Sequence, residues 1–324
     1  MRKFTAILLF VLISPLSLEA SSSLLFLEVQ AIAGYSSVED KIIYHSGRRQ
    51  DPMQKNSLGF DLIKKFSSSN SDFLTAALQL RTAFDDNENR AQLQIYNAYL
   101  KLKTSFADVW VGHNRISYGL ESYWDTHADL LQPLSMFGFG YDRDWGAGIS
   151  KDTKNGNIQF SLTSATGMAL KFDGNYLITS RISKGVLSYD NYNIGLSVMS
   201  GNVFDSMGWE IMGNLPHEVL LFGADFAYNR NNVEHKAQIT AGKKMDEDAY
   251  AGLYRLSFNF LEENKLKLEG QGVYTQLGDI KNYYLSAQAA YKINADLTSR
   301  ITYARDIESK ENKIVMQLYY YFLI

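Results

Sequence analysis

Residues 283–324 read YYLSAQAAYKINADLTSRITYARDIESKENKIVMQLYYYFLI, three runs in which every second side chain is apolar or aromatic, split by short polar turns. In the last run Ile314, Met316, Leu318, Tyr320 and Phe322 share one phase, while Val315, Gln317, Tyr319, Tyr321 and Leu323 share the other. A period of two belongs to a strand whose two faces meet different surroundings. One run earlier Leu297, Ile301 and Tyr303 oppose Thr298, Arg300 and Thr302, and before that Tyr283, Leu285, Ala287, Ala289 and Tyr291 oppose Tyr284, Ser286, Gln288 and Ala290. A series of such neighbours specifies a sheet with one oily face and one wet face.

Working outward, comparable runs lie near 24–35, 57–66, 72–84, 91–103, 107–113, 143–152, 157–165, 175–184, 190–200, 217–229, 232–243, 249–260, 265–275, 282–293, 296–305 and 313–323. No stretch of similar length has a helical period, so the expected strand content far exceeds the usual ~20–25%. Connections such as SSSNS, TSF, KDTKNG, NRNN, EENK and NAD are short, whereas 36–56, 114–142 and 201–216 are long. The segment 207–213 also alternates, which would turn 230–248 into a loop, and both drawings keep sixteen strands. In 91–103 the apolar phase slips between Leu93–Ile95 and Ala98–Leu100–Leu102, which predicts a bulge near Asn97.

The chain begins MRKFTAILLFVLISPLSLEA, with a basic start, an apolar stretch from Phe4 to Leu18 and small-residue chemistry at Ala20. This is the pattern of an export signal over 1–20, leaving 21–324 as a single domain without a linker. Nothing after Ala20 approaches the ~18 continuous apolar residues of a membrane helix. Of 324 residues 21 are Tyr, 18 Phe and only 4 Pro, and Cys is absent, which removes disulfides and thiolate metal sites. A net charge of -3 carries no basic stripe and argues against nucleic acid as a partner.

Charge placement decides which face is which. In 265–275 Lys265, Lys267, Glu269 and Gln271 share one phase, opposite Leu266, Leu268, Gly270, Gly272 and Tyr274. A lysine on a lipid face near the midplane costs roughly 2–4 kcal/mol, so the charged phase points inward. The same reasoning sends Arg81, Arg181, Arg255, Arg300 and Asp225 inward. Two stacked soluble sheets would also satisfy one-faced strands, but the export signal, the tight turns and the aromatic final strand favour an all-β, transmembrane antiparallel barrel of about sixteen strands. Barrels of 16 to 18 strands enclose water rather than a packed core.

Catalytic signatures are missing. His45, His113, His127, His217 and His235 are scattered, and no Gly-x-Ser-x-Gly, His-Glu-x-x-His or phosphate loop occurs. His113 with Asn114 and Ser117 is the nearest approach to a nucleophile and base. DDNENR sets Asp85, Asn87 and Asn89 at calcium-loop spacing, but Arg90 stands where glycine is needed and Tyr96 where the bidentate glutamate is needed. Acidic Asp246, Glu247 and Asp248 read as a solvated turn. No metal or cofactor is called for.

The longest connection, NRISYGLESYWDTHADLLQPLSMFGFGYDRD, is the third on the long-loop side. Here the chain resembles the Gram-negative porins, whose third outer loop folds into the barrel. Residues 97–121, NAYLKLKTSFADVWVGHNRISYGLE, are similar to the porin O/P-like (phosphate-selective-porin-like) pattern, with Ser117-Tyr118 where that pattern has Pro-Phe. The final strand resembles the outer-membrane assembly signal, here with the aromatic Phe322 third from the end. The resemblance implies a bacterial outer-membrane porin passing small hydrophilic solutes or ions passively, with loop 114–142 as constriction. Glu121, Asp125 and Asp129 are then the acidic candidates on the loop, facing Arg81, Arg181, Arg255, Lys267 and Arg300 on the wall. Expected partners are outer-membrane lipid, lipopolysaccharide and the solutes, with a homotrimer as assembly. The competing readings are a phospholipase-like barrel enzyme and a non-conducting structural barrel.

Overall fold

Alternating side chains assign the two faces of each strand to different surroundings but leave its edges to be paired, and the chain pairs them by closing the sheet on itself. The computed structural model describes residues 20–46, 54–68, 71–86, 89–124, 126–205, 211–213 and 215–324. In chain order the strands are β1 (Ala20–Ser36), β2 (Lys41–Ile43), β3 (Ser57–Ser67), β4 (Asp72–Asp85), β5 (Arg90–Lys103), β6 (Asp108–Arg115), β7 (Arg143–Thr153), β8 (Gly156–Thr163) and β9 (Tyr176–Lys184). They continue with β10 (Tyr192–Val203), β11 (His217–Arg230), β12 (Val233–Lys244), β13 (Glu247–Phe260), β14 (Leu266–Leu277), β15 (Ile280–Lys292), β16 (Leu297–Asp306) and β17 (Asn312–Leu323). Every pairing is antiparallel, and β1 bonds both to β3 and to β17, so the sheet has no free edge. The short β2 only extends the pairing at the far end of β1. Sixteen strands therefore form the wall, one for each run read from the sequence.

Ala20 and Leu323 lie on the same rim, with the connections after β3, β5, β7, β9, β11, β13 and β15. The opposite rim holds the long connections, although not every connection there is long. β12 meets β13 through Met245 and Asp246 alone, both with positive φ (56° and 63°), the backbone of a hairpin turn that matches strand twist. That hairpin makes 230–248 part of the wall and rules out the drawing in which it was a loop. Residues 206–210 lie outside the described residues.

The bulge falls where the phase slips. Gln79 pairs with Asn97 and Leu80 with Ile95, which leaves Tyr96 without a partner on β4. Tyr96, fully buried, and Asn97 both turn inward, Asn97 Nδ2 donating to Gln79 Oε1 at 2.6 Å. One extra residue thus supplies the bore with two consecutive side chains while keeping Leu93 and Leu100 outside.

Burial is inverted relative to a protein in water. Leu162, Ile182, Leu196, Phe222, Ile239 and Leu318 on the outer face are 50–62% exposed, whereas Glu28, Gln94, Asp225 and Gln317 on the inner face are almost wholly covered. Each outer aliphatic would forgo roughly 1.5–3 kcal/mol if left in water, so the exterior is matched to hydrocarbon. Among the described residues no helix is long and apolar enough to cross a membrane; the strands do the crossing. We expect Leu318→Arg, at the middle of β17, to destabilise the barrel by about 2–4 kcal/mol in urea titrations in lipid vesicles. Thr298→Arg on the inner face should stay within about 0.5 kcal/mol.

Candidate functional site: the inserted third loop

A segment of irregular backbone inside a barrel has peptide groups that strands cannot pair, so side chains must take them. Residues 116–142 meet this condition through the inner wall. Ser117 N donates to Ser161 Oγ and Thr179 Oγ1 (both 3.2 Å), Gly119 N to Ser197 Oγ (3.4 Å) and Leu120 N to Gln238 Oε1 (3.1 Å). Wall side chains in turn donate to loop carbonyls: Arg115 to Trp124 (2.7 Å), Arg81 to His127 (3.1 Å), Gln317 to Ala128 (3.0 Å), Arg255 to Leu131 (3.0 Å) and Gln271 to Gln132 (2.8 Å). These partners stand on β4, β6, β8, β9, β10, β12, β13, β14 and β17, so the loop crosses the bore from wall to wall. Gly119, at φ +57°, is required here, because a Cβ would fall 2.2 Å from the Gln238 amide.

One side of the loop is dry. Tyr118, Leu120, Leu134, Phe137 and Phe139 pack on Leu177 of β9, Met199 of β10, Val219 and Leu221 of β11, Leu253 of β13 and Val273 of β14, all buried. The inner wall is therefore not uniformly polar as the charge pattern implied. Beneath the loop it is apolar on both faces, as the unbroken run Val219–Phe222 could have signalled.

The other side is charged. Asp129 Oδ2 accepts from Arg255 Nη1 at 2.6 Å, and its Oδ1 from Gln288 Nε2 at 2.8 Å. Burial alone would raise the Asp129 carboxyl, yet Arg255 and Arg300, with the Gln288 amide, hold it below its ordinary value. The Arg255 guanidinium also lies 4.3 Å from the centroid of Trp124, with Lys236 5.1 Å from the same ring. Arg81 reaches Glu28 (3.3 Å) and Gln94 (2.6 Å), bonds the Tyr96 hydroxyl and lies 4.6 Å over that ring. Arg181 pairs with Asp225 (2.5 Å), and Lys267 with Glu234 and Glu269 (both 3.1 Å). Arg300 donates to Gln317 Oε1 at 2.8 Å.

Of the acidic loop candidates, Asp129 meets a wall arginine, and Asp125 lies outside the described residues. Glu121 is turned into the loop, 1% exposed, and accepts from Ser135 Oγ at 3.3 Å. Burial, and the charge of nearby Asp142, push its pKa from 4.5 up to about 8. Sequence reading passed over the partner that fastens the loop to the seam: His127 Nε2 stands 2.5 Å from Glu28 Oε2, and its Nδ1 is 3.1 Å from the Tyr319 hydroxyl. An isolated histidine gives no signal until the bore brings β1 and β17 to it. His113, by contrast, is buried with Nδ1 on the Tyr96 carbonyl (3.0 Å) and against Trp145, and among the described residues no bond joins it to Ser117.

No protein-family model and no curated protein sequence matches the chain. Solved structures do. An anion-selective porin from Comamonas acidovorans superposes with a TM-score of 0.65 at 13% identity, covering 94% of this chain and 100% of that one. The fold is the porin fold. OmpF of Salmonella typhi in complex with daunomycin matches at 0.65 and 12%, over 93% of this chain and 97% of that one. The trimer form of in-vitro folded OmpT from Vibrio cholerae matches at 0.64 and 10%, over 94% and 100%. A closed antiparallel barrel of sixteen strands with an oily exterior is the architecture of outer-membrane barrels.

Two outcomes follow from the loop's anchors. Arg255→Ala removes the cationic partner of partly buried Asp129, the Leu131 contact and the Trp124 stack at once. Losing one member of such a pair costs about 3 kcal/mol or more, so deuterium exchange over 126–132 should accelerate by about two orders of magnitude. Because Glu121 is held protonated in place, the docked loop binds more protons than the released one, and docking weakens as pH rises from about 4.5 to about 8. Protection factors over 118–124, which divide out the base catalysis of the intrinsic exchange rate, should therefore be lower at pH 9 than at pH 6, and Glu121→Gln should flatten that difference.

Proposed function

We propose that the protein is a porin in function as well as in fold: a passive channel for small hydrophilic solutes or ions, with loop 114–142 as its constriction. The observation that carries this reading is the loop itself, which joins opposite walls of a barrel whose remaining inner face is lined with charged and amide side chains. Solutes would move down their gradients, and the charges facing one another across the loop would orient dipoles and bias ions in a throat of low dielectric. No reaction is assigned, since among the described residues His113 and Ser117, the pair nearest to a base and nucleophile in sequence, are not hydrogen-bonded to each other.

Residues 1–20 act in this reading as an export signal removed at Ala20, which delivers the barrel to the periplasm for assembly. The likeness of 97–121 to phosphate-selective porins would add anion specificity. Against that, Arg81, Arg181, Arg255 and Lys267 each face a carboxylate, Glu28, Asp225, Asp129 and Glu234 respectively. Basic groups neutralised one by one make no phosphate cradle, and a general channel is the better fit. A homotrimer is the assembly we favour, by analogy with the trimer form of the Vibrio cholerae structure.

Planar-bilayer recordings on the refolded protein test the proposal. Discrete conductance steps are expected, with Arg255→Ala widening them as the loop loosens; neutralising Asp125 and Asp129 should lower the cation preference, and adding Glu121→Gln to that pair should change it no further at neutral pH. A barrel that stays silent in the bilayer, and leaves proteoliposomes impermeable to small sugars, is a structural barrel and not a channel.

A further inference from the structure

At the rim that carries the chain ends, the outer face of β9–β11 holds a groove of about 440 Å³ lined by Lys184, Tyr192, Ile194, Phe226 and Tyr228. The groove is shallow and open along the outer face, and its lining is almost wholly apolar. Strand register explains the shape. Ile194 stands opposite both Lys184 and Phe226, and Tyr192 opposite Tyr228, so the side chains occupy two successive outward rows with the tyrosines nearer the rim. Two residues of strand separate the rows by about 7 Å. The Phe226 and Tyr228 rings lie nearly parallel, 6.0 Å apart. Tyr192 is held by the turn beside it, where Gly185 at φ +87° leaves room that a Cβ, 2.6 Å from the ring, would take.

The charges at this groove are unusual for the wall. Lys184 continues the outward phase of Ile178 and Ile182 and is exposed, and Arg230 continues the phase of Phe226 and Tyr228 one row nearer the rim. Neither side chain has an ion pair or hydrogen bond among the described residues. Other outward lysines of this rim lie over rings instead, Lys64 over Phe66 at 5.3 Å and Lys151 over Phe106 at 4.0 Å. A lysine rooted at hydrocarbon depth lays its stem along the wall and lifts its ammonium toward the headgroups.

We propose that this groove is a binding site for one anionic phospholipid of the periplasmic leaflet. An acyl chain lies against Ile194 and Phe226, the two tyrosines flank the glycerol, and the phosphodiester sits between Lys184 and Arg230. A zwitterionic lipid brings its own cation to that position and gains less from the pair. A second copy of the chain on the same face would bring two further unpaired cations toward these two, which disfavours it as the occupant. The site requires the bilayer but not conduction, so it stands or falls separately from the channel.

Native mass spectrometry of the full-length barrel, extracted in mild detergent and offered equal phosphatidylglycerol and phosphatidylethanolamine, reads the site directly. One phosphatidylglycerol should be retained in preference to phosphatidylethanolamine. Lys184→Ala and Arg230→Ala should each reduce the preference roughly fivefold, and Ile194→Trp should abolish retention by filling the groove with both cations in place. Unchanged heat-modifiable mobility identifies variants that are folded. Equal retention of the two lipids by the wild type, a preference that survives the double substitution, or a lipid-free dimer would each overturn the assignment.

Discussion

In hydrocarbon a peptide group without a partner has no water to fall back on, and the molecule is built around that constraint. The pairing of β1 with β17 removes the last two sheet edges, with eleven residue pairs from Phe26–Leu323 to Ser36–Lys313. Closure fixes an even number of wall strands, puts both ends of the described chain on one rim, and obliges every strand to divide its side chains between lipid and bore. The alternation of the sequence is the consequence of that division.

The same constraint returns inside the bore, where the third loop has peptide groups and no strand to pair with. The wall answers with side chains of the right length: Ser and Thr where the loop runs close, Gln and Arg where it stands off. Polar residues on the inner face therefore do two jobs. Some pair with one another along the inner face, as Arg181 does with Asp225, and others replace water for a backbone that would otherwise be stranded.

Strands, order and inner face were legible because each depends on a pattern repeated many times over. Lys267 cannot face lipid, and the bulge at Tyr96 announces itself as a phase slip between Ile95 and Ala98. Contacts of the loop were not legible, since they join residues far apart in the chain by a route that only the closed wall defines. Asp129 and Arg255 could be named as opposite charges, yet their meeting depends on how far the loop reaches. Glu28 and His127 carried no signal at all, and the apolar ceiling made by Val219, Leu221 and Leu253 was concealed by the expectation that a bore is wet throughout.

The dry packing of Tyr118, Leu120 and Phe137 against that ceiling gives the loop unequal halves. Its two flanks behave as hinge plates, because peeling them away would wet a broad oily surface on both sides at once. The stretch around His127–Gln132 is a latch, held mainly by hydrogen bonds and ion pairs for which water is a ready substitute, with Leu130 set in a small dry cluster against Ile32, Ile43 and Val315. Any loosening of the loop is thus a swing of the latch about fixed plates, never the ejection of the whole door.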